Sequence, residues 1–151
     1  MPDDLRALED WAGALLARLD AGERRKLTRA IARDLRRNQQ QRIAAQRDPD
    51  GTPYAPRKPR KDLRGQVGRV RRRMFAKLRQ AKHLKLQSTA DSIAIGFVGR
   101  VARLARVHQY GLRDRVERGG PEVQYDPRQL LGLTDADLEL IRDRLLEHLA
   151  G

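Results

Sequence analysis

The positive charge of this chain is concentrated rather than spread. Residues 57–85 carry thirteen of its 33 lysines and arginines against one acid, Asp62, while the remainder holds twenty bases and nineteen acids. A near-neutral chain thus has a segment of net charge +12 set into its middle, and that segment supplies almost all of the overall +13. Like charges at this density repel one another and resist burial, so the segment has to be extended or project from the body. What folds must be assembled from the stretches on either side. With 39% hydrophobic and 4% aromatic residues in a chain of 151, those stretches can build one small aliphatic core and no second domain. The expected organisation is a single domain, 1–151, made of a helical hairpin (1–46), a Pro/Gly-containing basic arm (47–82) and a hairpin with helices (83–151).

Several classes are excluded at once. There is no cysteine, hence no disulfide framework and no thiolate zinc site. The longest clean apolar stretch, residues 93–98, is far too short to span a bilayer. The N-terminus is acidic (Asp3, Asp4) and has no apolar signal core, which predicts a soluble protein kept in the cytoplasm.

Apolar periodicity predicts the elements. Asp3 or Asp4 can cap a first helix with Leu5, Leu8, Trp11, Leu15 and Leu19 at spacings of three and four, interrupted by Ala21 and Gly22. A second helix over residues 23–46 aligns Leu27, Ile31, Leu35 and Ile43 and would be roughly 36 Å long. The two form an αα-hairpin, although a DNA-reading helix-turn-helix is the sharper alternative. Met74, Phe75 and Leu78 offer an apolar anchor after the arm. Residues 83–87 and 92–98 alternate apolar and polar side chains as a β-hairpin does, with Ile93, Ile95 and Phe97 on one face. A short helix then places Val101, Leu104, Ala105 and His108 on one stripe and ends at Gly111. Residues 113–122 read as a mobile charged loop, residues 123–125 as a short strand, and residues 127–132 as a turn carrying Leu130 and Leu131. Thr134, with Asp137 three residues on, reads as a capping box opening a last helix whose stripe is Leu138, Ile141, Leu145 and Leu149. That helix is expected to cover the hairpin. The fold class is therefore α+β: a small antiparallel sheet covered by helices, an N-terminal αα-hairpin and a long basic loop or arm.

The loop between helix and arm, Asp48-Pro49-Asp50-Gly51-Thr52-Pro53-Tyr54-Ala55-Pro56, has to turn tightly and then run extended. Its aspartates suggest calcium, but an EF-hand loop starting at Asp48 would need glycine and glutamate where Pro53 and Pro59 stand. Asp48 and Asp50 are instead expected to hold turn amides beside Gly51 and Tyr54. The arm (Arg57, Lys58, Arg60, Lys61, Arg69, Arg71, Arg72 and Arg73) has three readings: a solvated arm, a phosphate-tracking DNA contact, or a docking segment for another protein. Residues 57–73 are expected to be poorly ordered or extended away from the body. Phe75 is the single aromatic between residues 57 and 85, so base stacking has little to work with.

Catalysis finds no foothold. His83, His108 and His148 lie far apart with no carboxylate or nucleophile at motif spacing, and no nucleophile elbow, Walker loop or dinucleotide fingerprint occurs. No cofactor or metal is called for. The most pointed local feature is His108-Gln109-Tyr110-Gly111, a helix end with a tyrosine beside a glycine. Either His108 fills a core and Tyr110 packs over the hairpin, or the corner meets a neighbouring subunit.

Five motifs occur in a fixed order: residues 48–58, then Met74-Phe75-x-Lys77-Leu78, residues 95–102, residues 105–112, and Leu130-Leu131-Gly132-Leu133-Thr134. Together they resemble the phage virion morphogenesis family, the tail completion proteins of contractile-tailed temperate phages and their Mu-like relatives. The resemblance implies a non-enzymatic structural protein, assembled in the host bacterial cytoplasm and placed in the virion tail or neck. There it completes or terminates the tail at its head-proximal end and permits head–tail joining. The resemblance fits an infectious phage, a defective prophage or a tail-derived bacteriocin alike. By fold-level analogy with small neck and tail-terminator proteins, it implies a homo-oligomer, a hexameric ring. Its partners would be the tail tube or sheath protein and the head–tail connector proteins, with weak DNA contact at most and no membrane. His108, Tyr110, Gly111, Leu130 and Leu131 are the expected subunit or tail interface. The alternative function is DNA binding through residues 57–85.

Overall fold

The computed structural model describes residues 2–57, 60–61, 67–68, 73–115 and 119–150. The elements run α1 (Pro2–Leu16), α2 (Ala21–Ala44), β1 (Arg60–Lys61), β2 (Val67–Gly68), β3 (Leu84–Ser88), β4 (Ile93–Phe97), α3 (Val101–Tyr110), β5 (Arg113–Arg115), β6 (Glu122–Gln124) and α4 (Asp135–Ala150). The strands pair as β1–β2, β3–β4 and β5–β6, each a two-stranded antiparallel sheet. This is the α+β class with an N-terminal helical hairpin.

The central helix α2 organises the rest. Asp20 caps it, its side chain accepting from the Glu23 amide at 2.8 Å. Gly22 therefore lies in the first turn of α2 rather than in the interruption, and the break falls at residues 17–20. Likewise, α1 begins at Pro2, before the aspartates expected to cap it, as suits a proline in a first turn. The stripe Leu27, Ile31, Leu35 and Ile43 is buried as its spacing requires.

The β3–β4 register pairs Leu84 with Phe97, Leu86 with Ile95 and Ser88 with Ile93. The helix lying on this hairpin is α2, not α4. The longer helix offers the hairpin more apolar length, so α4 packs on the flank of α2 and against α1. Two clusters result. One joins Leu27, Ile31 and Leu35 with Leu145, and Trp11, Leu19, Ile93 and Ile95 pack on it. The other holds Ile43, Tyr54, Phe75, Leu78, Ala105 and Leu130, with Phe97 and Val101 against it. Thr28 fastens α2 to the hairpin turn by donating to the Thr89 carbonyl at 2.6 Å.

Two further expectations change, and a third falls mostly on residues outside those described. Leu104 is 45% exposed, because α3 turns Ala105 and Val107 inward instead. Residues 113–122 are not simply a loop: β5 pairs with β6, Arg113 opposite Gln124 and Arg115 opposite Glu122. The third concerns residues 57–73. Most of them, including Lys58, Arg69, Arg71 and Arg72, lie outside the described residues, and so does the side chain of Leu149. Within that stretch the backbone pairs Arg60 with Gly68 and Lys61 with Val67.

Candidate functional site

Residues 125–133 have no regular secondary structure, yet Leu130 is fully buried. A buried irregular strap cannot satisfy its own amides and carbonyls, so side chains must do so. They come from three places. Gln109 on α3 accepts from the Leu130 and Leu131 amides at 2.7 and 3.0 Å and donates to the Leu131 carbonyl at 2.9 Å. On α2, Arg42 donates to the Leu130 carbonyl at 2.6 Å, and Gln39 accepts from the Gly132 amide at 3.2 Å. From the proline-rich loop, Asp48 accepts from the Gln129 amide at 2.9 Å and the Tyr54 hydroxyl donates to the Gln129 carbonyl at 3.0 Å. In return Arg128, only 5% exposed, donates to the Ala55 and Pro56 carbonyls at 2.7 and 3.1 Å.

The loop itself follows from its sequence. The Gly51 amide donates to the Asp48 carbonyl at 2.9 Å, closing a turn with Pro49 in its favoured second position, and Gly51 follows at φ +90°. Asp50 holds a turn amide, that of Thr52, at 2.9 Å, and this bond draws its carboxyl below the usual range. Asp48 departs from expectation, since its carboxylate spans to the strap. Burial raises the Tyr54 phenol to about 12, so it stays a donor.

Below the strap runs an aromatic file. Phe75 meets Tyr54 and His108 edge-on, with centroids 5.7 and 4.8 Å apart, and His108 meets Tyr125 at 5.0 Å. Phe75 has φ +65°, a costly conformation for a bulky residue, held because its ring is enclosed by this file. His108 thus faces inward, its Nδ1 buried without a partner. Burial, with Arg128 and Arg57 nearby, lowers its pKa to about 4. The unfolded chain takes up this proton near 6.5 and the folded chain only near 4. The contribution of His108 to stability is therefore fully present above pH 6.5 and falls as the pH drops through that window, by about 2–3 kcal/mol at pH 4. Comparing urea unfolding of wild type and His108→Gln from pH 7 to 4 checks this. The variant should lose that share of the pH dependence, and an unchanged slope would refute it.

What the strap leaves outside is a groove of about 670 Å³ lined by Phe97, Ala102, Arg106, Gln109, Tyr110 and Leu131 among others. Tyr110 is 67% exposed, and Leu131 forms part of the wall. Gly111, at φ +64°, closes α3 and abuts Pro127. Of the five expected interface residues, then, Tyr110 and Leu131 line an open surface, His108 and Leu130 support it from within, and Gly111 makes the corner. Arg73 touches the Ala44 carbonyl at 3.5 Å. Sequence reasoning missed Gln39, Arg42, Gln109 and Arg128 as strap holders. Gln39 did carry a signal, a polar residue midway between Leu35 and Ile43 on the apolar stripe of α2. Arg128 carried none. Among the described residues, no three His, Asp or Glu side chains converge as a metal centre requires, and no helix is long and apolar enough to cross a membrane.

The model of the phage virion morphogenesis family matches residues 3–150. The chain belongs to that family. It is also 37% identical over 148 residues, 97% of its own length and 98% of the relative's, to tail completion protein S of Escherichia phage P2. No solved structure matches it at a significant level. The structure brings four of the five ordered motifs to one place. The proline-rich loop, Phe75, the α3 corner and the Leu130–Leu131 strap all meet around one set of hydrogen bonds, so much of that signature builds the groove and only part of it lines it.

Proposed function

We propose that this chain is a structural, non-enzymatic component that completes the phage tail at its head-proximal end and permits head–tail joining. It acts there as a homo-oligomeric ring, hexameric by analogy with tail terminators. The observation that carries this reading is the 37% identity with a tail completion protein over almost the full length of both chains. The groove beside α3 supports it. Tail assemblies are rotationally symmetric, and a protein that closes one matches them through head-to-tail contacts. An exposed tyrosine over an apolar floor is a suitable anchor for such a contact. The remaining faces meet the tail tube or sheath protein on one side and head–tail connector proteins on the other.

Tyr110→Ala tests the ring. Truncating an exposed anchor should weaken self-association about thirtyfold, equivalent to about 2 kcal/mol, while the melting temperature barely moves because the side chain is 67% exposed. Mass measurement over a concentration series, and copy number per isolated tail, provide the readout. One copy per wild-type tail would end the ring reading. Plaque formation by a phage deprived of its own tail completion protein and supplied with this chain tests the tail role separately.

A further inference from the structure

The α3 groove and the outer face of α4 carry opposite features. In sequence, α1 and α4 together hold nine acids and three arginines within a chain whose overall charge is +13, and the two helices pack against each other. On α4, Glu139 and Asp143 are exposed and in no ion pair among the described residues. Beside them Leu146 is 48% exposed. The α3 side is the reverse. Its groove has an apolar floor with Arg106 in the lining. The N-cap of α3 is Arg100, whose side chain makes no capping bond, and its first turn holds no acid, so cations sit at the positive end of the helix dipole. Asp114 already offsets Arg103 at 2.6 Å, but Arg100 and Arg106 have no ion pair among the described residues, and an incoming carboxylate relieves them.

We propose that the groove beside α3 receives the outer face of α4 from a second copy of this chain. Leu146 of the neighbour meets Tyr110 over the apolar floor, while Glu139 and Asp143 face Arg106 and the start of α3. The two surfaces are different patches of one subunit, so the contact is heterologous. Each copy keeps one free groove and one free α4 face, and the series ends only when the rotation closes. The proposal rests on the ring reading above and names the interface that builds the ring. It also gives a use to charge that the fold leaves unpaired: like-charge repulsion disfavours the two self-pairings, α3 surface on α3 surface and α4 face on α4 face.

Two double variants test it, Arg106→Ala with Tyr110→Ala on the groove side, and Asp143→Asn with Leu146→Ser on the α4 side. Circular dichroism establishes that each folds, since all four side chains lie at the surface or groove edge. Analytical ultracentrifugation of each alone should show self-association weakened at least tenfold. Mixed in equal amounts, they should form a one-to-one dimer that grows no further, because the mixture contains one intact groove and one intact α4 face. Should the mixture remain monomeric while wild type assembles, or should either variant assemble like wild type, the pairing is overturned and the ring reading stands. Wild type that is monomeric both in solution and in isolated tails overturns the ring reading itself.

Discussion

Asp137→Ala is expected to destabilise the fold by about 3–5 kcal/mol, a drop in melting temperature of about 10 °C for a chain this size. Asp137 is 1% exposed. Its carboxylate accepts from the Thr134 amide at 3.0 Å and the Asn38 side chain at 2.9 Å, and the Gln39 amide group lies at 3.5 Å. In the other direction its own amide donates to the Thr134 hydroxyl at 3.0 Å, completing the capping box of α4. Alanine leaves those donors unpaired in a buried place, the costly way to lose a hydrogen bond. It also withdraws a compensating charge from Arg42, whose pKa burial already lowers and Asp137 partly restores. Since Arg42 and Gln39 hold the strap, the groove should loosen as well. Asp137→Asn keeps the shape but turns a donor toward donors, so about half the loss should remain. Chemical unfolding decides it: a change below about 1 kcal/mol would mean that water replaces these contacts freely.

Gly111→Ala should cost about 2–4 kcal/mol, and its cause can be separated by comparison with Gly51→Ala. Both glycines have positive φ, +64° and +90°, so alanine is strained at either, by about 1 kcal/mol. They differ in what a new methyl meets. At Gly51 there is nothing within 4 Å, whereas at Gly111 a Cβ would stand 2.8 Å from both the Cδ and the backbone nitrogen of Pro127. Backbone cannot rotate aside, so the strap must move. Arg128, next in the chain, donates its amide to the His108 carbonyl at 2.7 Å, and that bond should be the first to go. Equal losses for the two variants would show that the clash is relieved without cost. A larger loss at Gly111, with faster amide exchange at Arg128 and Leu130, is the expected result.

What was legible in the sequence was local. The stripe of α2, the alternation of β3 and β4, the turn at Pro49 and Gly51, the glycine ending α3 and the Thr134–Asp137 box are each written within a few residues. Helical period, strand alternation and capping are short-range physics. The family resemblance was legible too, because the order of motifs survives in a linear string. Tertiary structure alone decided which helix lies on the hairpin, that Leu104 faces out and Leu130 in, and that residues 113–115 find a partner strand. It alone brought Asp48, Tyr54, Gln109 and Arg42 to one irregular strap. Periodicity says that a face is apolar without saying what will cover it. The strap has no period at all: its conformation is set by side-chain hydrogen bonds reaching 75 and 88 residues along the chain, and such partners are chosen only when the packed elements bring them within about 3 Å.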